Sequence, residues 1–322
     1  MQYKRFARSA EQVSLLGFGA WGIGKSMWIG AEDEVSKRTL RRAIEMGVNF
    51  FDSALVYGNG HSEKLIGQVE KESGKKLFIT SKIPSKKYEW PAGETSTLAE
   101  SFPKDHIIRC TERSLRNLDR DYLDLQQFHV WNDKWAGEDD WKAAIIRLKK
   151  EGKVRFFGIS INDHQPENGI ETGKSGLIDS YQVIFNLFDQ SPKDVLIPFC
   201  VENDIAIIAR VPFDEGSLTG GITPDTEFPP RDWRNNYFRN DRKKDVYNRV
   251  QKIRADVESE TGTLAEAALR YIISFAGVTT VIPGMRREEN LAANEASVAR
   301  GPLSPELLEK LQRHRWVRNF YD

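Results

Sequence analysis

Short apolar segments alternate with longer amphipathic segments along this chain. The apolar runs mostly lack strict alternation with polar residues, which is typical of strands covered on both faces. Eight such runs occupy residues 13–21, 48–54, 77–83, 122–131, 154–161, 181–188, 205–213 and 278–284. Helical spacing of apolar positions, acidic first turns and glycine or basic ends predict helices over residues 32–47, 62–73, 104–119, 139–153, 194–204, 245–262, 263–277 and 304–314.

Repeated strand–helix alternation predicts a (β/α)₈ TIM barrel built as a single domain over residues 1–322. A doubly wound open sheet is the alternative. Its phosphate-binding fingerprint needs a helix directly after the glycines, and no amphipathic helix begins at the glycine-rich segment 17–24. The polar stretch of about 213–245 is predicted to be a long loop at one mouth of the barrel, and 304–314 a C-terminal helix.

The composition of the chain excludes several classes of protein. The apolar fraction is 39%, which is ample for a core, and 47 basic residues balance 47 acidic ones. Without a basic excess we expect no nucleic-acid or anionic-membrane partner. The two cysteines fit no metal spacing or disulfide framework, no run of about 18 apolar residues exists, and no secretion signal is evident. We therefore expect a soluble, cytoplasmic protein.

Chemically active side chains stand at the ends of the predicted strands. Asp52 ends the second run, Lys82 the third and His129 the fourth, and Tyr57 follows the second run in a glycine-rich turn. Alone, each has an ordinary explanation as a cap, a solvated charge, a core histidine or a packing tyrosine. In a barrel, however, the strands' carboxyl ends meet at the active site. Their joint occurrence therefore favours a catalytic site.

These four groups could together form a site that donates a proton. A phenol has a pKa near 10, and a neighbouring ammonium favours the phenolate and lowers that pKa. Asp52 would keep Lys82 charged and oriented, and His129 would donate a hydrogen bond to the substrate oxygen. Tyr57 is then a credible proton donor to a carbonyl group that receives a hydride.

Two other chemistries use the same residues less well. A Schiff-base lyase would use Lys82 as a nucleophile, which requires a neutral amine, whereas a close Asp52 would raise the lysine pKa. A metal-assisted hydrolase is weaker still, because the five histidines are scattered without HxH or HExxH spacing. We therefore expect no metal site.

Several segments resemble, in order along the whole chain, those of the aldo-keto reductases and of their long-loop bacterial branch. FDSALVYGNGHSEKLIG resembles that family's aspartate–tyrosine signature, ITSKI its lysine strand and LDLQQFHVW its histidine strand. GKVRFFGIS and YQVIFNLFD are similar to the segments that hold the nicotinamide carboxamide. GSLTGG resembles the pyrophosphate loop, and FPPRDWRNNYF and VIPGMRREENLAAN resemble the long loop and the adenosine-phosphate motif.

The resemblance implies reduction of an aldehyde or ketone by hydride transfer from NADPH, with NADH as an alternative. Tyr57 would be the acid, Lys82 and Asp52 its tuning pair, and His129 the residue that orients the substrate. The long loop would lie near the cofactor. Ser160 and Gln182 would hold the carboxamide, Arg286 and Asn290 the 2′-phosphate, and Asn294 the adenine. Further cofactor contacts are expected at Arg210, Pro212, Gly216, Leu218 and Gly284.

Substrate and partners are less defined by the sequence. Trp21 and Trp131 are expected to line the substrate pocket, with barrel packing as the alternative. The expected partner is a small carbonyl compound, and the expected state is a monomer or small homo-oligomer. Some members of the family are channel-associated β subunits that keep the cofactor as a sensor, so a regulatory module is the second functional hypothesis.

Three positions depart from the family's pattern. Ile161, and not asparagine, follows Ser160, so that Asn162 is displaced by one residue. Gly221 replaces a lysine that often follows LTG. Arg210 replaces the aromatic residue that usually stacks on the nicotinamide. A planar guanidinium can stack, but it would repel the cationic oxidised ring, so we expect NADP⁺ to bind more weakly than NADPH.

Overall fold

The computed structural model describes residues 1–318, which form a closed barrel of eight parallel strands surrounded by helices. The barrel strands lie in chain order around the ring. Hydrogen bonds from Gly17 N to Val281 O (2.8 Å) and from Gly19 N to Pro283 O (3.0 Å) join the first strand to the last and close it. The predicted (β/α)₈ barrel is therefore confirmed.

Two short strands precede the eight that form the barrel. They make an antiparallel hairpin across the N-terminal end, with Tyr3 opposite Ser14. The strands are β1 (Tyr3–Arg5), β2 (Gln12–Ser14), β3 (Phe18–Gly19), β4 (Phe50–Asp52), β5 (Phe78–Ile83), β6 (Leu123–Phe128), β7 (Val154–Ser160), β8 (Ser180–Ile184), β9 (Ala206–Arg210) and β10 (Val278–Val281).

The helices connect successive barrel strands and cover the outside of the barrel. In residues 1–318 they are α1 (Asp33–Glu45), α2 (His61–Ser73), α3 (Leu98–Ser101), α4 (Lys104–Leu118), α5 (Asp139–Lys150), α6 (Ile170–Gly173), α7 (Leu196–Glu202), α8 (Arg234–Tyr237), α9 (Arg242–Val257), α10 (Leu264–Ile273), α11 (Glu288–Ala299) and α12 (Pro305–Leu311). None of these helices is long and apolar enough to span a bilayer.

The barrel interior changes from apolar to polar along its axis. At the N-terminal end the ring of Phe6, from the hairpin, packs against Phe78 at 4.7 Å and Phe156 at 5.2 Å between ring centroids. Two residues farther along β5 than Phe78, Thr80 accepts a 2.8 Å hydrogen bond from Gln127 Nε2. Side chains two residues apart on a strand share a face. The apolar floor therefore stabilises the barrel, and the polar layer begins the site.

Sequence periodicity located every barrel strand but missed some neighbouring elements. The first run, 13–21, contains the end of β2 as well as β3, because Val13 and Ser14 turn back to pair with β1. Helix α11 was also missed, since only a ligand motif was assigned to its residues. Pro198 does not break α7, because it occupies the first turn, where its backbone has no helical partner to lose.

Helices α2 and α4 approach each other closely at Gly67. A methyl group at this position would lie 2.1 Å from the backbone oxygen of Leu118. We expect Gly67→Ala to lower the free energy of unfolding by about 1–3 kcal/mol, because the backbones must separate, despite alanine's better helix propensity. Urea unfolding checks this. Gly137→Ala, with no atom within 4 Å of the added carbon, is the matched control. Equal midpoints for wild type and Gly67→Ala would contradict the prediction.

Candidate active site

The predicted strand-end residues converge at the carboxyl end of the barrel. Asp52 ends β4, Lys82 lies near the end of β5, and His129 directly follows β6. The chain continues the pattern, since Ser160 ends β7, Gln182 lies in β8 and Arg210 ends β9. Apart from Lys82, these residues line one cavity of about 1150 Å³.

Lys82 and Asp52 form an ion pair inside the protein. Their Nζ and Oδ2 atoms are 2.7 Å apart, and the two side chains are 0% and 2% exposed. Lys82 Nζ also donates to Ser53 O at 2.7 Å and to the Tyr57 hydroxyl at 3.4 Å. Asp52 Oδ1 accepts a 2.7 Å hydrogen bond from Gln182 Nε2. Both charges are thus compensated by partners inside the protein.

A tight turn after β4 holds Tyr57 over the barrel. Gly58 adopts a left-handed conformation with φ 61°, and a side chain there would meet Gly24 O at 2.0 Å. The Tyr57 ring lies 5.8 Å from the imidazole of His129 and 6.4 Å from Trp21, between ring centroids. The hydroxyl therefore lies where ammonium, imidazole and cavity meet.

Burial controls the protonation of this group of side chains. It raises the pKa of Tyr57 well above 10, and the charge of Asp52 adds to this, whereas Arg210 opposes it. Burial also lowers the pKa of Lys82, which Asp52 opposes, and holds the pKa of His129 well below its usual value. The net direction is opposite to the lowering expected from the Lys82 ammonium, because burial of the phenolate has the largest effect on the pKa of Tyr57. Tyr57 is thus a firmly protonated phenol beside a neutral imidazole.

The residues expected to hold a carboxamide lie together at the cavity wall. Ser160 Oγ is buried and has no hydrogen-bond partner among residues 1–318, so it is left with a hydrogen bond to make. Gln182 lies beside it across the β7–β8 register and orients Asp52. The amide of Asn162 is engaged by the protein, because its Oδ1 accepts a hydrogen bond from the backbone N–H of Trp131 at 3.2 Å. Asn186 Nδ2 likewise donates to Val211 O at 3.0 Å.

Arg210 is held by a partner that sequence reasoning missed. Its Nη2 donates to Asp163 Oδ1 at 2.5 Å and to Ile161 O at 2.9 Å. Glu215 also lines the cavity, and burial, together with the charges of Asp214 and Asp163, raises the pKa of its carboxyl to about 8. Nothing in the local sequence indicates these contacts, because they join loops that follow different strands.

The rest of the cavity is a groove lined by residues expected to contact the cofactor. These are Pro212, Gly216, Gly284, Arg286, Asn290 and Asn294. Gly216 has φ 105° and open space at its missing side chain, which leaves room for a ligand against the backbone. Leu218 does not line this cavity, which corrects the prediction that it contacts the cofactor. Its side chain is 0% exposed and its N–H bonds to Phe213 O, so it belongs to the core of the loop.

Of the two tryptophans predicted to line the pocket, the structure places one in the cavity wall and the other in the core. Trp21 lies in the cavity wall. Trp131 does not, which corrects the prediction. It is fully buried, its ring stacks on Phe128 at 4.7 Å, and its Nε1 donates to Thr172 Oγ1 at 2.8 Å. The barrel-packing explanation holds for Trp131, because its side chain points away from the barrel axis into the layer under the helices.

The family is shown by comparison with known proteins. The model of the Aldo/keto reductase family matches residues 15–315, and the chain belongs to this family. The solved aldo-keto reductase AKR11C1 from Bacillus halodurans, in its holo form, shares the fold with a TM-score of 0.78 at 23% identity, covering 99% of this chain and 97% of that one.

Relatives with different descriptions match almost the whole chain. Aldo-keto reductase YhdN of Bacillus subtilis is 27% identical over 91% of this chain and 87% of its own. Aldo-keto reductase yakc [NADP(+)] of Schizosaccharomyces pombe is 27% identical over 88% and 83%. A probable voltage-gated potassium channel subunit beta of Arabidopsis thaliana is 28% identical over 97% and 96%. Resemblance to these proteins alone therefore does not separate catalysis from regulation.

Removing one member of the buried ion pair should destabilise the protein strongly. Asp52→Asn keeps the shape of the side chain but leaves the Lys82 charge uncompensated, so we expect the free energy of unfolding to fall by about 3–5 kcal/mol. Asp119→Asn is the matched control. The ion pair of Asp119 with Lys71 is 72% and 77% exposed, and exposed pairs contribute less than about 1 kcal/mol. Equal urea midpoints for the two variants would contradict a structural role of the buried pair.

Proposed function

We propose that this protein reduces an aldehyde or ketone to the alcohol with NADPH, as an oxidoreductase acting on CH–OH groups. The observation that carries the proposal is the meeting of the Tyr57 hydroxyl, the Lys82 ammonium and the His129 imidazole at one end of a deep cavity. The rest of that cavity has the residues and the space for a dinucleotide.

The polar groups that line the groove suit a nicotinamide cofactor. The unpartnered hydroxyl of Ser160 and the amide of Gln182 would hold the carboxamide, and the backbone around Pro212 and Gly216 the pyrophosphate. Arg286 and Asn290 would face the 2′-phosphate, and Asn294 the adenine. When bound, the reduced cofactor supplies the hydride. One relative is named for NADP(+), which supports the choice of NADPH, and NADH is the alternative.

The protein's own side chains would handle the proton. Tyr57 stays protonated at neutral pH and would donate its proton to the carbonyl oxygen as that oxygen gains negative charge. Lys82, 3.4 Å from the hydroxyl, would stabilise the phenolate that remains. Neutral His129 would donate a hydrogen bond to the same oxygen, and Asp52 would position Lys82.

The lyase alternative is disfavoured by the position of Lys82. Its side chain is 0% exposed, and Nζ is engaged by Asp52, Ser53 O and Tyr57. A carbonyl compound would have to displace these partners to form a Schiff base. Borohydride trapping of a substrate on Lys82 would reverse this conclusion.

A regulatory module is the second candidate, and the relative described as a probable channel subunit beta favours it. Such a module would bind the cofactor without depending on Tyr57 for its function. The meeting of Asp52, Lys82, His129 and Tyr57 at one end of the cavity supports catalysis instead, since ionisable groups with shifted pKa values are concentrated at functional sites.

The role of Tyr57 can be tested directly. Tyr57→Phe removes only the hydroxyl, so we expect the turnover number to fall by about 10²–10⁴-fold while NADPH affinity stays near wild type. The assay follows loss of near-ultraviolet NADPH absorbance with a panel of aldehydes and ketones. Tyr247→Phe on helix α9 is the control. NADPH binding without turnover of any carbonyl would favour the regulatory module.

The expected preference for the reduced cofactor can also be tested. A guanidinium at Arg210 should make NADP⁺ bind more weakly than NADPH, although the Asp163 carboxylate 2.5 Å away offsets part of the repulsion. We expect Arg210→Gln to reduce the ratio of the two dissociation constants, measured by calorimetry, while Arg147→Gln on helix α5 leaves it unchanged. Equal dissociation constants in the wild type would contradict the idea.

A further inference from the structure

A chain of buried hydrogen bonds runs from the barrel interior to the ion pair of Lys82 and Asp52. Thr80 is the register partner of Asp52 across β4 and β5, and Gln127 is that of Lys82 across β5 and β6. Gln127 Nε2 donates to Thr80 Oγ1 at 2.8 Å, and Thr80 Oγ1 donates to Asp52 Oδ1 at 3.5 Å. Thr80 and Gln127 are both 0% exposed. The chain therefore ends on the carboxylate that holds Lys82.

The direction of the Thr80 hydroxyl is set by its two neighbours. A hydroxyl has one proton to donate and can also accept a hydrogen bond. Gln127 donates to it, and in residues 1–318 the acceptor within its reach is Asp52 Oδ1. Threonine is branched at Cβ and therefore stiff at χ1. The donor that faces Asp52 is thus held in one position by the strand itself.

The two oxygens of the Asp52 carboxylate have different partners. Oδ2 accepts from Lys82 Nζ at 2.7 Å, while Oδ1 accepts from Gln182 Nε2 at 2.7 Å and from Thr80. Gln182 lines the cavity in which the proposed cofactor binds, whereas Thr80 and Gln127 do not line it. Thr80 therefore restrains the carboxylate from the barrel interior, whatever the cavity holds.

The same two residue types form a second pair on the outer face of β6. Gln126 Nε2 donates to Thr111 Oγ1 at 3.1 Å, and both side chains are 0% exposed. Thr111 Oγ1 in turn donates to Ile107 O at 2.9 Å, within helix α4. This outer pair ends on a helix carbonyl and joins α4 to the barrel. The inner and outer pairs thus match in chemistry and burial but differ in what they orient.

We propose, resting on the proposed reductase function, that Thr80 and Gln127 are positioning residues for the reaction. They hold the Asp52 carboxylate in the orientation that keeps the Lys82 ammonium 3.4 Å from the Tyr57 hydroxyl. They touch neither substrate nor cofactor and act through Asp52 and Lys82. The ammonium matters most while negative charge develops on Tyr57, so their effect falls on kcat and not on binding.

Removal of the Thr80 hydroxyl tests this proposal. Thr80→Val keeps the branched shape but donates nothing to Asp52. With NADPH and the probe aldehydes butanal and benzaldehyde, we expect kcat to fall about 3–10-fold, while KM and the dissociation constant of NADPH stay within about twofold of wild type. Thr80→Ser, which keeps a hydroxyl, should retain most of the wild-type kcat. The matched control Thr111→Val should leave kcat unchanged.

A double substitution separates positioning from stability. Thr80→Val alone leaves Gln127 Nε2 buried without its acceptor, which by itself destabilises the protein. Adding Gln127→Met removes that donor together with Gln127 Oε1, which has no partner among residues 1–318. We expect the double variant to recover the urea midpoint of the wild type but not its kcat.

The outer pair supplies the control for the double variant. Gln126 Oε1 is likewise without a partner in the described part of the chain. Thr111→Val combined with Gln126→Met therefore makes the same chemical change on the other face of β6. We expect this variant to keep both the urea midpoint and the kcat of the wild type.

The outcomes distinguish this inference from the proposed function. Tyr57-dependent reduction with a wild-type kcat in Thr80→Val would overturn the inference and leave the reductase function intact. Recovery of kcat together with the urea midpoint in the inner double variant would do the same, because the loss would then come from stability. An equal fall of kcat in Thr111→Val would also overturn it. NADPH binding without reduction of any carbonyl compound by the wild type would overturn both.

Discussion

The buried ion pair between Lys82 and Asp52 is the constraint on which the rest of the site depends. Two charges out of water persist only with good geometry and additional hydrogen bonds. Here Ser53 O and Gln182 Nε2 supply them, from the loop after β4 and from β8. The pair therefore couples three strands at the carboxyl end of the barrel. It also places one positive charge 3.4 Å from the Tyr57 hydroxyl, where charge would develop during reduction.

The barrel separates stability from chemistry along its axis. Phenylalanines from the hairpin, β4, β5 and β7 fill the N-terminal end, with Phe50 and Phe78 stacked at 5.3 Å. Two residues farther along the same strands, the inward positions become polar, so that Asp52 and Thr80 lie opposite each other in register. A rigid apolar layer thus supports a polar layer whose geometry is costly to build.

Two of the loops that line the cavity touch each other. Trp233 N donates to Met27 O at 3.0 Å, and Ile29 N donates to Asp232 Oδ2 at 3.3 Å. These contacts link the loop after β3 to the long loop after β9. Arg286, expected at the cofactor phosphate, also contacts the first of these loops through Ile29 O. The groove expected to hold the cofactor and the loop after β3 are therefore supported by the same contacts.

Local sequence was sufficient for the strand order, the barrel and the positions of Tyr57, Lys82, Asp52 and His129, because strand periodicity and strand ends are properties of neighbouring residues. It was not sufficient for the direction of the Tyr57 pKa shift or for the contact between Asp163 and Arg210. It also misplaced Trp131 and Leu218, whose side chains pack away from the cavity. Burial and pairing of this kind arise from contacts between loops that follow different strands, and only the closed barrel brings those loops together.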